Sequence, residues 1–408
     1  MEGFCGTSKK LLIWSGFWFE GNTVKSVQKF KCFMSFSLAF TFVMLPELYF
    51  IYQERNDMLK VSGCISEALT NLLTLTKMII VYRNRDKLRT LFNDMRETWQ
   101  GMEITDEIQR IKCASMKRVD VLSRGFAYTY LSLAANFMLN PLITQIIASY
   151  VEKQSISLAE LPNPIKISFP FEIRRKIIDF STIYAGVFFG EMITLAILMG
   201  FDTLSICLMN FCGDLFKILA QCLRTIHIEL ASSNVDDDVV NSLQSWTEQK
   251  AQEMIRKLKE IIRRHNQFIG FSHRLEEILN LMMLAQYMSS TFMFCIVGFQ
   301  LTILLKTPYD FSILMTYCIC LYCQLFMFSW FGSYLTTSSH DVSLAAYEWE
   351  WFAAPNNIKK EIILIILRSH RPVGVTAAKF YYISIESFAK ALSSAVSYFT
   401  LLQTIYEE

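Results

Sequence analysis

The chain has 408 residues, 52% of them hydrophobic and 19% charged, with 33 phenylalanines. That profile is too apolar for an ordinary soluble domain and indicates a polytopic membrane protein. A net charge of +2, with no basic tract interleaved with aromatics, excludes nucleic acid as an expected partner.

In chain order, Met1 to Lys10 leads into Leu11-Leu12-Ile13-Trp14. This apolar run is too short for a secretory signal and is soon ended by Glu20. Trp14, Phe17, Trp18 and Phe19 suit a segment lying at the membrane surface, where aromatic rings favour the headgroup level. Lys25, Lys29 and Lys31 precede the first span, so residues 1–31 are expected as an N-terminal region with an interfacial segment.

Seven transmembrane helices are expected, giving an all-α fold: Cys32–Tyr52, Val61–Tyr82, Ala127–Tyr150, Phe180–Phe211, Leu281–Leu305, Phe311–Leu335 and Ala378–Ile405. The second carries Glu67, Asn71 and Lys77, whose helical spacing implies burial against protein rather than lipid. The fourth holds Glu191 and Asp202. Pro46 and Pro141 are expected to kink the first and third, which is tolerable where neighbours satisfy the freed carbonyl.

The long connections Arg83–Phe126, Cys212–Asn280 and Thr336–Ala377 fall on one side of the membrane if all seven segments cross. Arg83–Phe126 continues as amphipathic helix. Residues 212–280 form a helical region in which Asp236-Asp237-Asp238 is a solvated turn. Beyond it, Ile255, Leu258, Ile262 and Ile269 keep helical spacing among Arg256, Lys257, Lys259, Arg263 and Arg264. His265 belongs to that stripe as a structural histidine. Lysine and arginine are more numerous on the side of the long connections only in proportion to loop length, so charge orients the chain weakly.

Spans five and six occupy residues 281–335. Cys320-x-x-Cys323 lies inside an apolar helix, where it reads as packing rather than a metal or redox motif. No His/Asp/Glu cluster at metal spacing, nucleophile elbow or phosphate loop occurs, so neither enzyme chemistry nor a cofactor is expected. A heptahelical G-protein-coupled receptor is the natural rival. Its usual outer disulfide cannot form, because Tyr150–Asp179 holds no cysteine, and Asn140-Pro141 is followed by Thr144 where that class has tyrosine.

The C-terminal stretch begins with a short helix over Ile358 to Arg368, stopped by His370-Arg371-Pro372-Val373-Gly374. The last span is unusually polar. Glu386 and Lys390 stand one turn apart, and Ala389, Ser393 and Ser397 form a small-residue stripe that Leu401 and Ile405 continue. Phe388, Leu392, Phe399 and Leu402 lie off the stripe. Such a helix either lines a pore with an apolar constriction or makes a tight helix–helix interface.

Several motifs here resemble the insect odorant receptor family: Tyr347 with Trp351, the turn Arg368-Ser369-His370-Arg371-Pro372, and Ala377-Ala378-Lys379-Phe380. Ser387-Phe388 and the closing Ser397-Tyr398-Phe399-Thr400-Leu401-Leu402 complete the set. The resemblance implies a cytoplasmic N-terminus and an external C-terminus in the plasma membrane of sensory neurons. It implies an odorant-binding subunit of a ligand-gated cation channel, assembled as a heterotetramer with a shared co-receptor subunit. Residues 336–377 would supply cytoplasmic anchor helices and residues 378–405 the pore-lining span. A volatile odorant or pheromone would bind among spans one to four (residues 32–211) and span six. The corresponding residues are Ala68, Asn71 and Leu72; Phe137, Met138 and Pro141; Tyr184, Val187, Phe188 and Glu191; and Met315, Ile319 and Tyr322. Ser393, Ser397, Leu401, Gln403, Thr404 and Ile405 would line or gate the pore.

Overall fold

A backbone crossing hydrocarbon must satisfy its own hydrogen bonds, so the long apolar stretches of this chain fold as helices. The computed structural model describes residues 6–18, 26–102, 105–152, 167–169, 177–232, 248–304, 308–349 and 351–407. Helix α1 spans Gly6–Ser15, and α2 (Ser26–Leu38) runs through a π-helical segment, Ala39–Met44, into α3 (Leu45–Gln53). There follow α4 (Met58–Arg83), α5 (Arg85–Gln100), α6 (Asp106–Glu152), α7 (Ile177–Ser232), α8 (Glu248–Ile303) and α9 (Pro308–Tyr347). A 3-10 turn at Trp351–Ala353 leads to α10 (Asn356–Ser369), the strands β1 (Thr376–Ala377) and β2 (Tyr381–Tyr382), and α11 (Ile385–Glu407).

By length and composition, five described helical stretches can cross a bilayer: Ser26–Gln53, Met58–Arg83, Thr182–Ile226, Glu248–Ile303 and Phe311–Tyr347. The third expected span lies within α6, where the side chains of 137–152 are outside the described residues. The seventh lies in α11, which is long enough but is not among the five; Glu386, Lys390 and its serines lower its hydropathy.

A π-helical segment precedes Pro46 in the first span. Proline has no N–H to donate and its ring crowds the preceding turn, so the helix widens just before it, and Leu45 N–H reaches back five residues to Phe40 O. Helix α6 passes Pro141 without interruption. The expected connection Cys212–Asn280 consists largely of helix, because α7 and α8 continue far beyond their apolar halves. Asp236-Asp237-Asp238 lies outside the described residues.

Helix α7 is the central element. It packs against α9, α1, α6 and α8, and from Ile197 to Phe216 every residue is buried, as expected of a helix apolar on all sides. Helix α1 seats Leu12 against the core and joins α7 through Ser8 Oγ to Thr203 Oγ1 (2.6 Å). The helical extensions share one end of the bundle. There Arg224 Nε lies 2.7 Å from Glu348 Oε2, Arg274 Nη1 lies 2.7 Å from Asp94 Oδ2, and Gln221 donates to Glu107. His265 packs edge-on to Phe216 in the same extension, and burial, with Arg368 nearby, pulls its imidazole pKa down to about 4.

The start of the last helix differs from expectation. Helix α11 begins at Ile385, not Ala378, because residues 376–382 turn back as a hairpin pairing Thr376 with Tyr382 and Ala377 with Tyr381. Ala378 (φ 45°) and Lys379 (φ 67°) occupy the left-handed region at its tip, which no helix can include. Distant partners hold them there: Ala378 N–H donates to Asn280 O (3.1 Å), and Thr376 Oγ1 donates to Glu276 Oε1 (2.6 Å). Ser384 then caps α11, accepting from Ser387 N–H while its own N–H donates to Ser387 Oγ (3.1 and 2.9 Å).

Candidate ligand cavity and last-helix face

Helices α4, α6, α7 and α9 meet in the half of the bundle away from the extensions. They enclose a cavity of about 60 Å³ lined by Glu67, Thr70 and Asn71, by Leu133 and Ala134, by Glu191, Thr194, Leu195 and Leu198, and by Tyr317. Tyr317 Oη lies 2.7 Å from Thr70 Oγ1 and donates to Ser66 O (3.1 Å), which closes one wall. Asn71 Nδ2 donates to Glu47 Oε1 (2.8 Å) and also hydrogen-bonds Glu191. Glu47 is fully buried on α3. The site is therefore apolar on the α6 side, and hydroxyls, an amide and carboxyls converge from α4, α7 and α9. The composition, apolar walls with a few directional groups, is that of a small-molecule pocket, while the volume of about 60 Å³ is several-fold below that of such pockets.

Two helical turns deeper lies a second polar layer. Lys77 Nζ on α4 contacts Asp202 Oδ1 on α7 (2.5 Å) and Gln286 Oε1 on α8 (2.6 Å). Gln324 of α9 and Tyr130 of α6 donate to Asp202 Oδ2 at 2.6 and 3.3 Å. Lys77 Nζ also lies 5.7 Å from the Phe328 ring centroid. Five helices are thus tied at one level by a charge pair that also bonds Gln286, Gln324 and Tyr130, and buried charges are tolerated when paired and further hydrogen-bonded in this way.

Below this layer the last helix is seated. Phe388 packs edge-on to Tyr322 and Phe326, at 5.3 and 5.7 Å between ring centroids. Ser387 Oγ reaches Tyr287 Oη (3.2 Å), which in turn is 2.5 Å from Ser329 Oγ. Ala395 is buried, and Leu392, Phe399 and Leu402 are half-buried, so the apolar side of α11 faces α8 and α9. Its opposite side is exposed from Glu386 to Thr404: Glu386, Ala389, Lys390, Ser393, Ser397, Leu401 and Thr404. Glu386 and Lys390 pair at 2.7 Å on that face. The hydroxyls of Ser397 and Thr404 donate to their own helix at Ser393 O and Thr400 O, both 3.0 Å.

The structure brings together only part of the expected ligand set. Asn71 and Glu191 line the cavity, and Ala68 is buried nearby on α4. Leu72 points outward from the bundle. Tyr184 is half-buried, Val187 is buried against Val43 and Ile167, and Phe188 stands at the surface edge-on to Phe189. Met315, Ile319 and Tyr322 all lie on the exposed side of α9. Phe137, Met138 and Pro141 have described backbone only. Glu67, Thr70, Thr194 and Tyr317 line the cavity without having been expected there; Glu67 is one turn from Asn71, and Tyr317 opens the inward stripe Tyr317, Leu321, Gln324. Of the expected pore residues, Ser393, Ser397, Leu401 and Thr404 are exposed, Gln403 is half-buried, and the Ile405 side chain lies outside the described residues.

Comparison with known proteins gives this geometry its context. The family model described as 7tm odorant receptor matches residues 57–396. Odorant receptor 13a of Drosophila melanogaster is 29% identical over 259 residues, covering 60% of this chain and 58% of that receptor. Putative odorant receptor 85d of the same fly is 32% identical over 142 residues, covering 35% of this chain and 34% of that one. The aligned stretches thus span less than two thirds of these relatives. The fold matches the olfactory receptor OR5 of Machilis hrabei in complex with eugenol, with a TM-score of 0.78 at 13% identity over 98% of both chains. With five-sixths of its length matched by the family model, this chain belongs to the 7tm odorant receptor family.

Proposed function

We propose that the chain is an odorant-binding subunit of a heteromeric, ligand-gated, non-selective cation channel in the plasma membrane of sensory neurons. It crosses the membrane seven times with the N-terminus in the cytoplasm, and the helical extensions lie on the cytoplasmic side. The observation that carries this reading is the sidedness of α11. Its aromatic and aliphatic side packs on α8 and α9, whereas Glu386, Lys390, Ser393, Ser397 and Thr404 face away from the subunit. Polar side chains and an ion pair facing lipid would be costly, so this face requires water or other subunits beside it. Four such helices around an axis would satisfy it, with Leu401 and Ile405 as an apolar ring that shuts the pore by excluding water.

Ligand binds between α4, α6, α7 and α9 in the cavity, which must widen to admit it; Asn71, Thr70 and Tyr317 orient it and Leu133, Ala134 and Leu198 supply apolar wall. Tyr317 shares α9 with Phe326 and Tyr322, on which Phe388 rests, so a shift of α9 reaches α11 directly. A ligand that prefers the open arrangement a hundredfold supplies about 2.7 kcal/mol toward opening. The partner is the family's shared co-receptor subunit. The test is to record membrane currents from cells expressing this chain with and without that co-receptor while screening volatiles. Cation currents that persist under G-protein block support the channel reading, and loss of all response under that block refutes it.

A further inference from the structure

We propose that the groove between α6 and α9 at the extension end of the bundle binds one anionic phospholipid, with its phosphate on Lys117 and Arg118 and an acyl chain along Val121, Leu122, Phe326 and Trp330. The groove has a volume of about 570 Å³. It sits where the apolar half of α6 gives way to its charged extension and where the expected sixth span nears its end; under the proposed orientation that is the level at which headgroups meet acyl chains. Trp330 is exposed there, tilted against Phe326 at 5.8 Å between centroids, as aromatic side chains at membrane boundaries commonly are.

The two cations are available in different ways. Lys117 is exposed and pairs with no carboxylate among the described residues. Arg118 lends one nitrogen to Asp214 Oδ1 (3.3 Å) while its guanidinium lies 4.7 Å from the Tyr334 ring centroid. Asp214 already accepts from Ser115, from Asn210 (2.7 Å) and from Tyr334 (2.6 Å), so Arg118 has donors to spare for a phosphate. The neighbouring acid, Asp120, is neutralised by Arg124 one turn on (2.5 Å). A basic mouth leading into an apolar trough matches a lipid with a charged head and greasy tail. Under the proposed orientation it faces the cytoplasmic leaflet, which is the anionic one. Phe326 also seats Phe388 of α11, so the tail would lie against the rings that hold the last helix.

The full chain in nanodiscs, with brominated phosphatidylserine or brominated phosphatidylcholine as quencher, tests the site. The Trp330 fluorescence is isolated by subtracting the Trp330→Phe variant. Stronger quenching by phosphatidylserine is expected. Lys117→Gln should reduce the preference about fivefold, the worth of one basic contact at the membrane surface, and Lys117→Glu should abolish it. Lys117 is exposed and joins no ion pair among the described residues, so these variants are expected to keep the folded state. Equal quenching by both lipids, or an unchanged preference in Lys117→Gln, overturns the proposal. So does a disulfide linking two copies through Val121→Cys, since a second protein would then occupy the groove.

Discussion

Lys77 Nζ lies 2.5 Å from Asp202 Oδ1 with both side chains fully buried, and the pair fastens α4 to α7 at mid-bundle. Removing either partner leaves an uncompensated charge, which costs about 3–5 kcal/mol, whereas removing both is far milder. Lys77→Met should therefore sharply lower thermal stability and surface delivery. The double variant Lys77→Met, Asp202→Leu should recover most of the loss in a fluorescence-detected melting assay. A double variant as unstable as the single one would show that the pair is not the unit that matters.

The last helix predicts a periodic pattern of thiol accessibility. Cysteines placed at Ser393, Ser397 and Leu401 should be modified by a water-soluble thiol reagent, and one at Ala395 should not. Leu401→Ala should raise the resting current without reordering odorant preference, tenfold in open probability for each 1.4 kcal/mol of bias. Unchanged resting current in a surface-expressed Leu401→Ala channel would place the constriction elsewhere.

Neighbouring positions on α4 separate cavity from surface. Asn71→Ala strips buried Glu47 of its amide donor, at a cost of about 1–3 kcal/mol, and should shift the ligand dose–response curve. Leu72→Ala, on the outward face, should stay within about 0.5 kcal/mol and leave the curve in place. Dose–response recording with surface biotinylation checks both.

Gly332 on α9 touches the entry to the last helix. A Cβ there would stand 2.4 Å from Ile383 O and 3.0 Å from Ile383 C, both backbone atoms that cannot swing aside. Gly332→Ala should destabilise by about 1–3 kcal/mol, as overpacking does. Melting of the purified receptor measures it, with Gly270→Ala, where a Cβ meets nothing within 4 Å, as the control.

Acid should loosen the helical extension through His265. Folded, the imidazole stays neutral down to about pH 4, held low by burial and then by Arg368. Unfolded, it takes up its proton near 6.5. The unfolded state thus binds more protons below that pH, and stability falls on acidification from about 6.5 to 4 by about 1.4 kcal/mol per pH unit, near 3 kcal/mol in all. Above 6.5 this contribution is constant. His265→Gln should flatten that limb in melting curves taken between pH 4.5 and 7.5.

Periodicity and hydropathy are local properties, and whatever depends on them is legible in the sequence. The expected spans Val61–Tyr82 and Phe311–Leu335 lie inside α4 and α9, and the short helix before Pro372 is α10. The two-sided character of the last helix was equally readable, since Phe388 and Leu392 against Ser393 and Ser397 differ in polarity. The start of that helix was not, because the left-handed tip at Ala378 and Lys379 is held by Asn280 and Glu276, about a hundred residues away. On α9 the inward side was illegible for another reason. Lipid and protein interior are both apolar, so Met315, Ile319 and Tyr322 look no different from Tyr317, Cys320 and Leu321, and only packing separates them.

The sequence by itself determined that this is a bundle of long membrane helices, that Lys77 and Asp202 each need a partner inside it, and that α11 has one face unsuited to lipid. Desolvation dictates those three points residue by residue, whatever the neighbours. Tertiary structure alone decided that the two charges answer each other across 125 positions of chain, and that Glu67, Thr70 and Tyr317 join Asn71 and Glu191 around one cavity. Pairings of that kind follow from how helices cross and rotate against one another, which no local pattern in an all-apolar surface encodes.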